Sequence, residues 1–236
     1  MRLDKLLSNL GYGSRNDLKK ACKNGRVLVN NEKVLDSSFD VDPQKDLIVI
    51  DDEEIYFNDN IVIMMNKPKG YICSNIDEKY PTVLNLIDNK YRRLDLDIAG
   101  RLDVDTTGLV ILSNDGNLIH KIISPNNCIY KKYLVETKDV IGEDFLKEIV
   151  KPMALIDKKG EYFITEKAMA ELLDENHFYL DIKEGKYHQV KKMVEHLGNE
   201  VLNLKRISIG SLDVSSLNEG EYKILNQEEI RWIFNE

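Results

Sequence analysis

The chain is poor in cysteine, proline and tryptophan: three, five and one among 236 residues. Cys22, Cys73 and Cys128 are far apart, odd in number and without a CxxC pair. They exclude a disulfide scaffold, give no zinc spacing, and read as thiols in a reducing cytoplasm. The four histidines (His120, His177, His188, His196) are scattered and lack an HExxH frame, so no metal site is expected. Neither GxGxxG nor GxxxxGK[ST] occurs, so dinucleotide and P-loop chemistry have no support. A run of about 18 apolar residues is missing, which excludes a membrane-spanning helix. Met1 to Lys5 holds no apolar signal core, so export is not expected. What is present is an ordinary globular composition, 42% hydrophobic and 31% charged, long enough for one large domain or for a medium domain plus a small one.

The net charge of −8 argues against a nucleic-acid partner until its distribution is read. Residues 1–34 carry eight basic and three acidic side chains, a local +5; residues 35–60 carry one basic and nine acidic, a local −8. Salt limits the reach of the acidic segment to roughly 10 Å, so the basic one can meet phosphates. Leu3, Leu6, Leu7 and Leu10 have helical spacing, closed by Gly11 and Gly13. Ser14-Arg15-Asn16-Asp17 reads as a capping box for a second helix, about Arg15 to Asn24, whose outer face holds Arg15, Lys19, Lys20 and Lys23. Arg26 to Val29, Glu32 to Val34 and Leu47 to Ile50 read as short strands. Taken alone, such a basic face is most simply a solvated helix surface.

This ordered set of leucines, glycines, capping serine, basic helix and Gly-Arg-Val-Leu-Val-Asn strand resembles the S4 RNA-binding module. The resemblance implies that Arg2, Arg15, Lys19, Lys20, Lys23 and Arg26 offer charge to RNA phosphates, contacts that position without reading sequence. The acidic stretch Asp51 to Asn60 reads as a linker, giving an S4-like domain over 1–56 and a second domain over 61–236. Beyond it, strand-like runs (Ile61–Met65, Leu109–Leu112, Tyr133–Val135, Tyr162–Ile164, Phe178–Ile182) mix irregularly with helical patterns (Val83–Ile87, Leu118–Ile123, Gly142–Val150, Val190–Leu197). That mixture indicates an α+β fold.

The most informative stretch is Gly100-Arg101-Leu102-Asp103-Val104-Asp105-Thr106-Thr107-Gly108-Leu109, a polar loop that feeds an apolar strand and can hold a side chain rigidly. Asp103 and Asp105 admit three readings from spacing alone: a structural Asx turn, a glycosidase-like pair, or a single nucleophile. The segment from Gly100 to Gly116 is similar to the signature of pseudouridine synthases of the small-subunit ribosomal RNA type. Asn66-Lys67-Pro68-Lys69-Gly70, Lys131-Lys132-Tyr133-Leu134-Val135, Glu184 to Met193, and Leu204 to Gly210 match further blocks of that family in order and spacing.

The resemblance implies a mixed, mainly antiparallel catalytic sheet with flanking helices. Asp103 would be the nucleophile, Tyr133 the active-site tyrosine, and Lys191 the cation paired with Asp103. Arg101 would hold the target nucleotide out of its helix. Lys67, His188, Gln189, Lys192 and Arg206 are expected among the RNA contacts, and Asp105 only shapes the loop. The reaction implied is isomerisation of a uridine to pseudouridine in small-subunit ribosomal RNA, free or in a pre-ribosomal particle, by a monomer without cofactor. A large-subunit target, or an inactive RNA-binding assembly factor, is the alternative.

Overall fold

The computed structural model describes residues 1–58 and 60–235; Asp59, inside the expected Asp51–Asn60 linker, lies outside them. The chain forms two compact units, Met1–Asn60 with Ile87–Leu96, and Ile61–Leu86 with Asp97–Glu236.

The first unit opens with α1 (Leu3–Asn9) and α2 (Arg15–Lys23). The leucine spacing does what it implies: Leu3, Leu6, Leu7 and Leu10 are all at most 5% exposed. The Ser14 hydroxyl accepts from the Asp17 amide and the Asp17 carboxylate accepts from the Ser14 amide, completing the capping box. The helices dock on a sheet of β1 (Val27–Val29), β2 (Glu32–Lys33), β3 (Ile48–Ile50) and β4 (Glu53–Glu54). β4 falls where the sequence suggests a linker; it pairs antiparallel with β3 through Val49 and Ile50. A segment distant in sequence belongs to this unit too. It carries α3 (Asn89–Arg92) and is held by its rings and charges. Arg93 stacks over Tyr12 at 4.0 Å, Tyr12 donates to Glu53 at 2.9 Å, and Tyr91 meets Tyr56 edge-on at 5.1 Å.

The second unit is α+β. In chain order it comprises β5 (Val62–Lys67), β6 (Asp97–Ala99), β7 (Thr107–Ser113), α4 (Gly116–Ile123), β8 (Lys131–Thr137), α5 (Glu143–Ile149), β9 (Ala154–Ile156), β10 (Tyr162–Ile164), β11 (Met169–Leu172), β12 (His177–Ile182), α6 (Gln189–His196), β13 (Val201–Ile209), β14 (Leu212–Asp213), β15 (Tyr222–Ile224) and α7 (Gln227–Trp232). The expected helix at Val83–Ile87 is one 3-10 turn, Val83–Leu86.

The main sheet runs β11-β12-β8-β13-β7-β5-β15, with β14 on β13 and β6 on β7. Its pairs are antiparallel except β13 with β7. β5 and β7 are buried almost throughout, which is why they read as continuous apolar runs rather than alternations. Val62, Met64, Leu109, Ile111, Ile119, Ile122, Ile209 and Ile233 pack as one cluster between this sheet and its helices. Each such side chain contributes roughly 1.5–3 kcal/mol by burial.

Candidate active site

The loop before β7 is locked from three sides. Lys67 Nζ donates to the Thr106 carbonyl at 2.6 Å and to Pro68 at 3.1 Å. The Leu102 amide donates to Cys73 Sγ at 3.4 Å, and the Thr106 amide to the Asp103 carbonyl at 3.1 Å. Asp103 is thereby held at the edge of a cleft lined by Arg101, Leu102, Asp103, Lys131, Tyr133, His188, Gln189, Lys191, Leu204 and Arg206.

Asp103 has two cationic or polar neighbours. Lys191 Nζ lies 3.1 Å from its Oδ2, and His188 Nε2 lies 3.2 Å from its Oδ1. Lys191 reaches further, to Asp105 Oδ1 at 2.7 Å. The Asp105 side chain is thus more than a shaper of the loop; it shares the ammonium. Burial opposes ionisation of Asp105, but the hydrogen bond and charge of Lys191 outweigh it and hold the carboxyl below its ordinary range. Burial likewise works against the Lys191 ammonium, and the two carboxylates overcome it and raise the amine above its ordinary range.

Tyr133 stands on β8, 6% exposed, with Arg206 of β13 as its cross-strand partner. On the other side of β13, Gly108 of β7 makes a close approach to Arg206 possible. Its φ is +103°, and a Cβ built there would lie 2.2 Å from the Arg206 carbonyl oxygen. A register shift follows between Arg206 and Ser208, a bulge beside the cleft.

Several residues expected among the RNA contacts are buried or committed to protein partners. Lys67 is fully buried and spent on carbonyls, so it ties the Asn66–Gly70 block to the signature loop instead of meeting RNA. Gln189 is 3% exposed; its amide donates to Glu184 at 2.7 Å and its oxygen accepts from the Lys186 amide, closing the turn into α6. His188 enters α6 with φ +53°, stacks on Tyr187 at 3.8 Å and turns toward Asp103 rather than outward. Such a backbone conformation costs a non-glycine residue energy and clusters at functional sites. Lys192 donates to the Ile156 carbonyl. Arg206 is 2% exposed and lies in the cleft, not on the surface. In the first unit, Arg2 forks onto Asp4 at 3.1 and 2.7 Å, and Arg26 binds both oxygens of Asp51. Arg15, Lys19, Lys20 and Lys23 are exposed along α2.

Arg101 is exposed at the cleft and forms no ion pair among the described residues. The roles of Asp105 and His188 escape sequence reasoning. The only signal for the latter is an aromatic–histidine pair at a helix start.

Residues 61–196 match the family model for RNA pseudouridylate synthase, and residues 1–47 match that of the S4 domain. The chain is 41% identical over 233 residues to ribosomal small subunit pseudouridine synthase A of Haemophilus influenzae, with 98% of each chain covered. It is 38% identical over 235 residues to an RNA pseudouridine synthase of Bacillus subtilis named YtzG, covering 98% of this chain and 97% of that one. A crystal structure of a pseudouridylate synthase superposes with a TM-score of 0.68 at 38% identity, over 99% of both chains. The chain belongs to the RNA pseudouridylate synthase family and carries an S4 domain at its N-terminal end.

Proposed function

We propose that this pseudouridine synthase isomerises one uridine of small-subunit ribosomal RNA, with Asp103 as the nucleophile. The observation that carries the reading is the position of the Asp103 carboxylate in the cleft, 3.1 Å from the Lys191 ammonium and 3.2 Å from His188, with Tyr133 lining the same cleft. A carboxylate attacks only when its oxygen is aimed, and the ammonium holds that oxygen in place.

The target base leaves its stack to reach Asp103, at a cost of a few kcal/mol. Arg101, at the cleft and free of any ion pair among the described residues, holds the splayed nucleotide. The first unit acts as the RNA-holding domain through the exposed face of α2, and the second unit, without Ile87–Leu96, as the catalytic domain. The small-subunit target is supported by near-full-length relatives at 36 to 41% identity that bear that name.

The test maps pseudouridine in ribosomal RNA from cells lacking the gene, complemented with wild-type or Asp103→Ala protein. One small-subunit position that returns only with wild type is the expected result. A position restored equally by Asp103→Ala removes the nucleophile assignment, and one in the large subunit removes the substrate assignment.

A further inference from the structure

Two buried cations line the cleft, and neither forms an ion pair among the described residues. Arg206 is 2% exposed and Lys131 8%. Arg206 stands opposite Tyr133, and Lys131 shares the buried alternation of β8 with Tyr133, so the three side chains face one side of the sheet and line the same cleft. Arg206 Nε donates to the Leu109 carbonyl at 2.7 Å, while its Nη2 is buried and has no hydrogen-bond partner among the described residues. Lys131 Nζ donates to the carbonyls of Ile129 at 3.2 Å and Lys183 at 2.8 Å, neither of which carries a full charge.

Glu184 acts on Lys131 from a distance, but its Oε1 accepts from the Glu166 amide at 2.8 Å and from Gln189 at 2.7 Å. Burial, with the nearby Arg206 adding to it, pushes the Lys131 amine down to about 8. Two desolvated like charges beside an orphaned N–H cost stability, and the arrangement is completed by a negative ligand. An RNA phosphate is an unsuitable occupant, because it travels on the outside of the strand while these groups are far more buried than Asp103 and Lys191. A base inserted past Asp103 reaches them.

The chemistry supplies the charge. As the Asp103 carboxylate bonds to C1′ of uridine, the N1–C1′ bond breaks with its electron pair staying on the base, and the detached uracil is an anion with charge spread over N1, O2 and O4. The ring then turns, C5 supplies the pair for the new bond to C1′ as the Asp103–C1′ bond breaks and returns its pair to the carboxylate, the hydrogen on C5 leaves as a proton, and N1 takes one up. We propose that Arg206 and Lys131 form the anion hole for the detached uracil, donating to its carbonyl oxygens between cleavage and rejoining. The pair stabilises the leaving base and retains it while it turns. This inference rests on the isomerisation reading above and adds where the transient charge is held. Arg206 is then a catalytic residue at the reacting base, not a surface phosphate contact.

The experiment uses small-subunit ribosomal particles from cells lacking the gene. Single-turnover rate and RNA affinity are measured for wild type, Lys131→Met, Arg206→Lys and Arg206→Met. Removing a donor aimed at developing charge costs about 100-fold or more. The expected result is a rate loss of that order with affinity within about threefold. The second readout places 5-fluorouridine at the target position, because fluorine stabilises the uracil anion by itself. The variants' deficit in N1–C1′ cleavage then shrinks relative to uridine. An equal deficit on both bases marks a merely structural role and overturns the inference, as does weakened affinity with an unchanged rate at saturating RNA, which marks a phosphate contact. Should Arg206→Met not fold, Lys131→Met and Arg206→Lys carry the comparison. An inactive wild-type protein sinks the isomerisation reading, and this inference with it. An active wild type with unimpaired variants sinks this inference alone.

Discussion

Lys191 is shared between two carboxylates, at 2.7 Å from Asp105 and 3.1 Å from Asp103. Replacing it with methionine leaves Asp103 and Asp105 without their shared cation, and the oxygen proposed to attack loses its aim. Turnover by Lys191→Met is expected to fall about 100-fold or more while RNA affinity changes little. Lys191→Arg restores part of it, since a guanidinium can fork across both acids. Unchanged turnover in Lys191→Met rules the role out. Lys131 makes a different prediction. Its amine is pushed down to about 8 in the fold from an ordinary 10.5, so between those values the unfolded chain binds more protons than the native one. Native stability therefore rises with pH across that window, and below it the buried charge costs up to about 3 kcal/mol. Lys131→Met is expected to be more stable than wild type near pH 7, with the gap narrowing as pH climbs from 8 to 10.5. Denaturant unfolding of both proteins across this range checks it; a pH-independent gap contradicts it.

The junction of β7 and β13 is where the elements that carry the site meet. Gly108 pairs with Lys67 on one side and Arg206 on the other. A methyl group there would sit 2.2 Å from the Arg206 carbonyl oxygen, at a φ of +103° that side chains avoid. Gly108→Ala is expected to cost about 3 kcal/mol in denaturant unfolding and to cut turnover beyond what that loss of stability explains. A variant as stable and active as wild type would show that the strands can separate freely. Local patterns made much of the architecture legible. Leucine spacing gave α1, the Ser14–Asp17 box gave α2, and the apolar runs gave β5 and β7. β13 was not legible, because Asn203, Lys205 and Arg206 interrupt its alternation and a bulge shifts it beside the cleft. The membership of Ile87–Leu96 in the first unit was hidden too, since it depends on ring and charge contacts between residues far apart in sequence. At the site, the motifs located Asp103, Tyr133 and Lys191. The burial of Lys67 and Arg206 was hidden by residue types that ordinarily mark the surface.

For the molecule as a whole, a net charge of −8 has to be reconciled with an RNA partner. The reconciliation lies in which cations are already committed. Arg2 and Arg26 are paired with Asp4 and Asp51, and Asp4 is itself 4% exposed. Arg15, Lys19, Lys20 and Lys23 stand exposed on α2, whose inward face is Leu18, Ala21 and Cys22. Only the second group can exchange counterions for phosphates without breaking an existing pair. Neutralising all four to glutamine is expected to flatten the dependence of log affinity on log salt by about 3, since each phosphate contact contributes roughly 0.7–0.9. Thermal stability should barely change, because exposed side chains away from special features move stability by about 0.5 kcal/mol at most. Arg2→Gln and Arg26→Gln should do the reverse. They leave the salt slope nearly intact and lower the melting temperature, Arg2→Gln more so because it strands a buried carboxylate. Titrations of ribosomal RNA at several salt concentrations, with melts of each variant, decide between these assignments. A slope unaltered by the fourfold change would move the electrostatic contact off α2 altogether.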